Sequence, residues 1–142
     1  MENHSSKKKA ERRLLNSFRE AYKGFPKGKI IESESPDFII KPNRKRTIGI
    51  ELIQIFPTID KNEITRKNFQ EAIENAILKK EEKLKRYQKK ILEAYWLVIT
   101  IERKIPAKFN IPKILERLRI ESKFDQIFLF DNTGEKVYKI GD

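Results

Sequence analysis

Two carboxylates, Asp37 and Glu51, fall inside stretches that otherwise read as β-strands, and they constrain this chain more than any other feature. Asp37 follows Glu34-Ser35-Pro36 and opens Asp37-Phe38-Ile39-Ile40-Lys41. Glu51 stands in the middle of Thr47-Ile48-Gly49-Ile50-Glu51-Leu52-Ile53-Gln54-Ile55. Burying an unpaired charge among apolar groups opposes folding. Two such costs on neighbouring strands point to a place that holds a cation. Each acid also has a plainer account: a turn carboxylate after Pro36 for Asp37, and a salt bridge to a basic side chain for Glu51.

The spacing of apolar residues supplies the rest of the fold. Met1–Ser6 reads as a frayed tail, and Lys7–Tyr22 as an amphipathic helix with Leu14, Leu15, Phe18 and Tyr22 on one face. Gly24, Pro26 and Gly28 end it. Strands follow at Lys29-Ile30-Ile31, at 37–41 and at 47–56. They are joined by the basic turn Pro42-Asn43-Arg44-Lys45-Arg46 and form a meander. From about Asn62 to Ala94 the period is helical, with Phe69, Ile73, Ala76, Ile77, Leu84, Tyr87 and Ile91 on one stripe and Asp60 and Glu63 as a capping box at the start. Tyr95–Ile101 is apolar on both faces, as a central strand requires. A short helix from Ile111 to about Ser122 and strands at 124–130 and 136–140 complete the chain. This order predicts an α/β protein, one domain over residues 1–142, with a mixed central sheet flanked by helices.

Charge and composition narrow the chemistry. The formal charge of +11 favours a polyanionic partner, DNA or RNA before an anionic membrane surface, with solubility as the plainer reason for the excess. Cysteine is absent, so thiolate metal sites and disulfides are excluded. The single histidine, His4, lies near the N-terminus, which argues against a histidine-based zinc site or a serine–histidine–aspartate triad. No apolar run spans a membrane and no signal-peptide core opens the chain, so the cytoplasm is the expected compartment.

With these elements in place, the residues resemble the PD-(D/E)XK nuclease superfamily. Helix, three-strand meander, helix, strand, with Pro36-Asp37 opening the second strand and Glu51 in the third, is the pattern of its restriction-endonuclease-like α-β-β-β-α-β core. The resemblance covers about Lys7 to Phe130. It implies a Mg²⁺-dependent endonuclease, with Mn²⁺ as a substitute ion, that hydrolyses phosphodiester bonds of DNA; RNA is the alternative substrate. It is also compatible with a homodimer, because a duplex has two strands to cut. Asp37 and Glu51 are then metal ligands, joined by the backbone carbonyl of Leu52. The chemistry fits: Mg²⁺ takes oxygen ligands and keeps several waters, so one or two carboxylates hold it.

One position departs from the superfamily. Its lysine belongs two residues after the glutamate, where this chain has Ile53. Lys80, in the middle of the long helix's apolar stripe, is the leading substitute, since some branches of the superfamily carry the lysine on this helix. Snorkelling past the core is its plainer reading. Lys83 and Lys79 rank below it. Gln54 is a second substitute, but alternation aims it away from Glu51 unless a bulge intervenes. Glu11, central on the first helix's apolar face, is the remaining catalytic candidate, with an intrahelical ion pair as its alternative. Glu34 reads as a loop carboxylate, and Tyr87 as core.

Lys41, Arg44, Lys45 and Arg46 are the expected phosphate contacts, with Lys7, Lys8, Lys9, Arg12 and Arg13 and the outer face of the long helix (Lys79, Lys85, Arg86, Lys89, Lys90) as further basic blocks. No base-reading motif is present. Two other readings stay open: a non-catalytic nucleic-acid-binding module of the same fold that has lost its lysine, and a structural subunit whose sheet edge and final hairpin pair with another chain.

Overall fold

The computed structural model describes residues 4–87 and 92–141. The elements run α1 (His4–Ala21), β1 (Lys29–Glu32), β2 (Phe38–Lys41), β3 (Ile48–Gln54), α2 (Arg66–Tyr87), β4 (Ala94–Ile101), α3 (Ile111–Glu116), β5 (Gln126–Asp131) and β6 (Lys136–Ile140). They build an α/β fold around one six-stranded sheet, ordered β1-β2-β3-β4-β5-β6. The β1–β2 and β2–β3 pairs are antiparallel, as the expected meander requires. The β3–β4 and β4–β5 pairs are parallel, with α2 and α3 as their crossovers, and β6 returns antiparallel on β5. No helix among the described residues is long and apolar enough to cross a membrane.

Strand alternation divides the core into two layers. On one face Ile48, Ile50 and Leu52 of β3 join Trp96, Val98, Phe128 and Phe130 beneath Leu15 and Phe18 of α1. Phe18 is fully buried and meets Tyr22, Phe25, Phe128 and Phe130 at centroid separations of 5.3–5.8 Å. Burying such a ring stabilises by about 1.5–3 kcal/mol, and this fixes α1 against the sheet. On the other face Phe69, Ile73, Ala76, Ile77 and Leu84 of α2 cover Tyr95, Leu97, Ile99 and Ile101. Glu51 is on this second face.

Several boundaries differ from the sequence reading. Helix α1 starts at His4, and Lys8, tied to the sheet by a buried hydrogen bond, secures its early turns. Helix α2 starts at Arg66, because its cap is Thr65 and not Asp60. The Thr65 hydroxyl accepts from the Asn68 N–H at 3.1 Å, and the Asn68 side-chain oxygen accepts from the Thr65 N–H at 2.7 Å. This is a capping box with asparagine in the glutamate's place. Asp60 caps only its own turn, through the Asn62 N–H. The expected continuation of α2 over 88–91, with Lys89, Lys90 and Ile91, lies outside the described residues, and Ala94 already belongs to β4. Helix α3 stops at Glu116: beyond it Leu118 and Ile120 pack on the core at a spacing of two, which suits extended chain.

Candidate functional site

Asp37 and Glu51 converge at the point where the β2–β3 ladder ends. Phe38 pairs with Ile50, so the N–H of Leu52 has no strand partner on that side. Asp37 Oδ2 accepts it at 2.9 Å. In return the Asp37 N–H donates to Glu51 Oε2 at 3.2 Å. Both acids are buried, Glu51 completely and Asp37 to 7 % exposure. Gly49, on the same face as Glu51, makes room for this. A Cβ there would stand 2.7 Å from Pro36 Cγ and 2.8 Å from Leu92 Cδ1, so glycine lets Pro36 lie on the sheet and seat Asp37 beside Glu51.

Helix α2 brings two lysines to the pair. Lys80 Nζ is 2.8 Å from Glu51 Oε1 and 3.6 Å from Asp37 Oδ2. Lys83 Nζ is 3.1 Å from Glu51 Oε1 and 3.5 Å from Asp37 Oδ1. The roll of the helix is fixed from its other side by buried Glu81. That carboxylate accepts from the Lys123 N–H at 2.6 Å and from the Ser122 hydroxyl. Successive helical positions are about 100° apart, so anchoring Glu81 toward the α3–β5 loop turns Lys80 and Lys83 toward β3.

Helix α1 closes the site from the sheet's end. Lys8 is buried: its ammonium donates to the Asp37 carbonyl at 2.8 Å and lies 4.7 Å from the centre of the Phe38 ring. Glu11 pairs with Lys8 at 3.6 Å. Burial pushes the Glu11 carboxyl above its usual range, Asp37 adds to this, and Lys8, Lys7 and Lys80 do not offset it. For Lys83, burial lowers the pKa, but Glu51 and Asp37 together outweigh burial and hold the ammonium above the ordinary lysine range.

The Glu11 shift has a measurable consequence. A carboxyl raised in the fold binds its proton more tightly than in the unfolded chain. Its contribution is therefore complete below the unfolded pKa and is lost as pH rises through the folded one. Glu11→Gln, which never ionises, is expected to unfold at a higher temperature than the parent at neutral pH, with the gap closing in weak acid. Equal melting temperatures across that range would show that Glu11 ionises without cost.

Other sequence candidates lie elsewhere. Gln54 is not in the site: the β3–β4 register continues without a bulge to Gln54 and Thr100, and the Gln54 amide donates to Glu102 at 3.2 Å. Leu52 enters through its N–H. Lys79 is exposed, as is Glu34. The basic turn with Lys41, Arg44, Lys45 and Arg46 is at the opposite end of β2 from Asp37, about 13 Å away at the usual strand rise. Within the turn, Asn43 accepts the N–H groups of Lys45 and Arg46, and Arg46 pairs with Glu93 at 3.2 Å. Sequence reasoning undervalued Lys8 and Lys83. The signal was present: Lys8, Glu11, Leu15 and Phe18 share one helical face, and Lys83 follows Lys80 at a spacing of three.

Among the described residues, no group of three or more aspartate, glutamate, histidine or cysteine side chains gathers as a metal site. The donor set is thus two carboxylates, Glu51 from β3 and Asp37 from the turn just before β2, all oxygen, which fits a hard divalent cation that keeps most of its waters. A groove of about 790 Å³ is at the other edge of the sheet between α3 and β6. Its one aspartate, Asp125, already accepts from the Tyr95 N–H at 2.8 Å, so the groove has no comparable constellation. Compared with known proteins, the chain matches no family model, no curated protein and no solved structure.

Proposed function

We propose that this protein is a Mg²⁺-dependent endonuclease that hydrolyses DNA phosphodiester bonds on a restriction-endonuclease-like core. The observation that carries the reading is that Lys80 of α2 lies within 3.6 Å of the carboxylates of both Asp37, just before β2, and Glu51 of β3, while the Asp37 N–H donates to Glu51. The element order α1-β1-β2-β3-α2-β4 and the migrated lysine both match the resemblance noted above. Asp37 and Glu51 would hold Mg²⁺ or Mn²⁺, which supplies charge stabilisation at the phosphate and acidifies the attacking water. Lys80 is then the cation that faces the developing phosphorane charge, in place of the lysine that Ile53 replaces. Glu11, held above its usual pKa, is positioned to accept a proton at the site's edge. The basic turn, about 13 Å off, is at roughly the width of a major groove, so it would contact a phosphate across the groove from the scissile one.

A non-catalytic nucleic-acid-binding module is the second reading, favoured by the ammonium groups of Lys80 and Lys83, which neutralise both acids. Supercoiled plasmid and single-stranded RNA, each incubated with Mg²⁺ or Mn²⁺, separate the two. Cutting by the parent and none by Asp37→Ala supports the enzyme. Plasmid binding with no cutting under either ion supports the module, and loss of both binding and cutting overturns both.

A further inference from the structure

Lys80 and Lys83 contact the same oxygens that a cation at Asp37 and Glu51 would take. Glu51 Oε1 faces both ammonium groups, at 2.8 and 3.1 Å. Asp37 Oδ2 faces Lys80 at 3.6 Å, and Asp37 Oδ1 faces Lys83 at 3.5 Å. The charges of this foursome already cancel. A divalent ion and two ammonium groups on the same few oxygens repel at distances where the low-dielectric interior screens poorly.

The two lysines are not equivalent. Lys80 has a side-chain exposure of 13 % and sits in the apolar stripe between Ile77 and Leu84. Lys83 is 31 % exposed, at the rim of the site. A lysine head is a compact charge on a flexible four-carbon stem, so a rim lysine changes partner with little cost to its backbone. Lys8 and Glu11, the other charged groups near the cluster, come from α1, and Glu81 of α2 is turned away toward Ser122 and Lys123.

Resting on the nuclease reading above, we infer that Lys83 is a second functional cation that couples metal loading to substrate binding. In the substrate-free protein its ammonium stands in for the metal on Asp37 and Glu51. When a nucleic-acid backbone arrives, the ammonium moves to a phosphate oxygen and the carboxylate oxygens pass to the metal. Metal and polyanion then each strengthen the binding of the other by one common factor, because coupling between binding sites is reciprocal.

The test measures Mn²⁺ binding by electron paramagnetic resonance, with and without a short DNA duplex of phosphorothioate linkages, which keep their charge and slow hydrolysis. The parent is expected to bind Mn²⁺ at least about fivefold more tightly with the duplex, at the low end of usual coupling factors. Lys83→Met is expected to bind Mn²⁺ alone at least about fivefold more tightly than the parent and to gain less from the duplex than the parent does, because only the metal's own contact with the phosphate then couples the two. Lys83→Arg is expected to restore the coupling. The salt dependence of duplex binding in Mn²⁺ should lose about one phosphate contact, a slope change of about 0.9, in Lys83→Met. Lys83→Gln repeats the comparison if the methionine variant fails to fold. Mn²⁺ affinity unchanged by the substitution, or coupling undiminished by it, overturns the role of Lys83 and leaves the nuclease reading intact. No Mn²⁺ binding by any of these proteins, with or without duplex, overturns both.

Discussion

Glu51→Ala is expected to destabilise the fold by about 3–5 kcal/mol, measured as a shift of the urea unfolding midpoint at unchanged slope. Glu51 is completely buried and takes Lys80, Lys83 and the Asp37 N–H on its two oxygens. Removing it leaves Lys80 beside an apolar hole, with Asp37 3.6 Å away as its remaining partner. Lys83, nearly a third exposed, recovers water and adds little to the loss. The double variant Glu51→Leu with Lys80→Met is expected to recover most of this stability. Replacing a buried pair with apolar groups of similar volume is often neutral or better, and Lys83 still neutralises Asp37. That contrast separates a charge cluster kept for stability from one kept for chemistry. If the single variant is destabilised and the double variant is not, the fold does not need these charges, and their presence requires another reason. A double variant as unstable as Glu51→Ala would make the cluster a structural ion network and would weaken the case for an enzyme.

How much of this was legible in the sequence follows from what local patterns encode. The meander, the buried β4 and the α2 stripe are periodic, and their periods survive folding, so β3 and β4 were placed within two residues and α2 was found by its stripe and not by its ends. Asp37, Glu51 and Lys80 were each visible as a charge where periodicity demands an apolar residue. The start of α2 was misread because Thr65–Asn68 closes a capping box with an amide, a weaker sequence signal than the acids at 60 and 63. The end of α3 was misread because period-two and helical spacing are indistinguishable over so short a stretch. The basic turn looked adjacent to the acids because both belong to the same strands. Its distance follows from direction along the hairpin, which the residue types alone do not display. Lys8 and Glu81 act through contacts to backbone groups 29 and 42 positions away, which no local window contains.

Lys80→Met is expected to lower the cleavage rate constant by about 10²–10³, the usual effect of removing one preorganised charge-stabilising donor from an active site. Its melting temperature is expected to stay within a few degrees of the parent, because Lys83 remains 3.1 Å from Glu51 Oε1 and methionine keeps most of the buried stem. The kinetic pattern separates the two lysines. If Lys80 acts on the transition state, kcat and kcat/KM fall together and KM is unchanged. Lys83, assigned to a substrate phosphate, is expected to raise KM when replaced by methionine. The short contact from Lys80 to Glu51 also stabilises the carboxylate itself. The rate loss therefore has to be read at saturating Mg²⁺, where the carboxylates are occupied in parent and variant alike. Full activity of Lys80→Met under those conditions would remove Lys80 from the chemistry and leave Lys83 as the one cation on α2 that touches both acids.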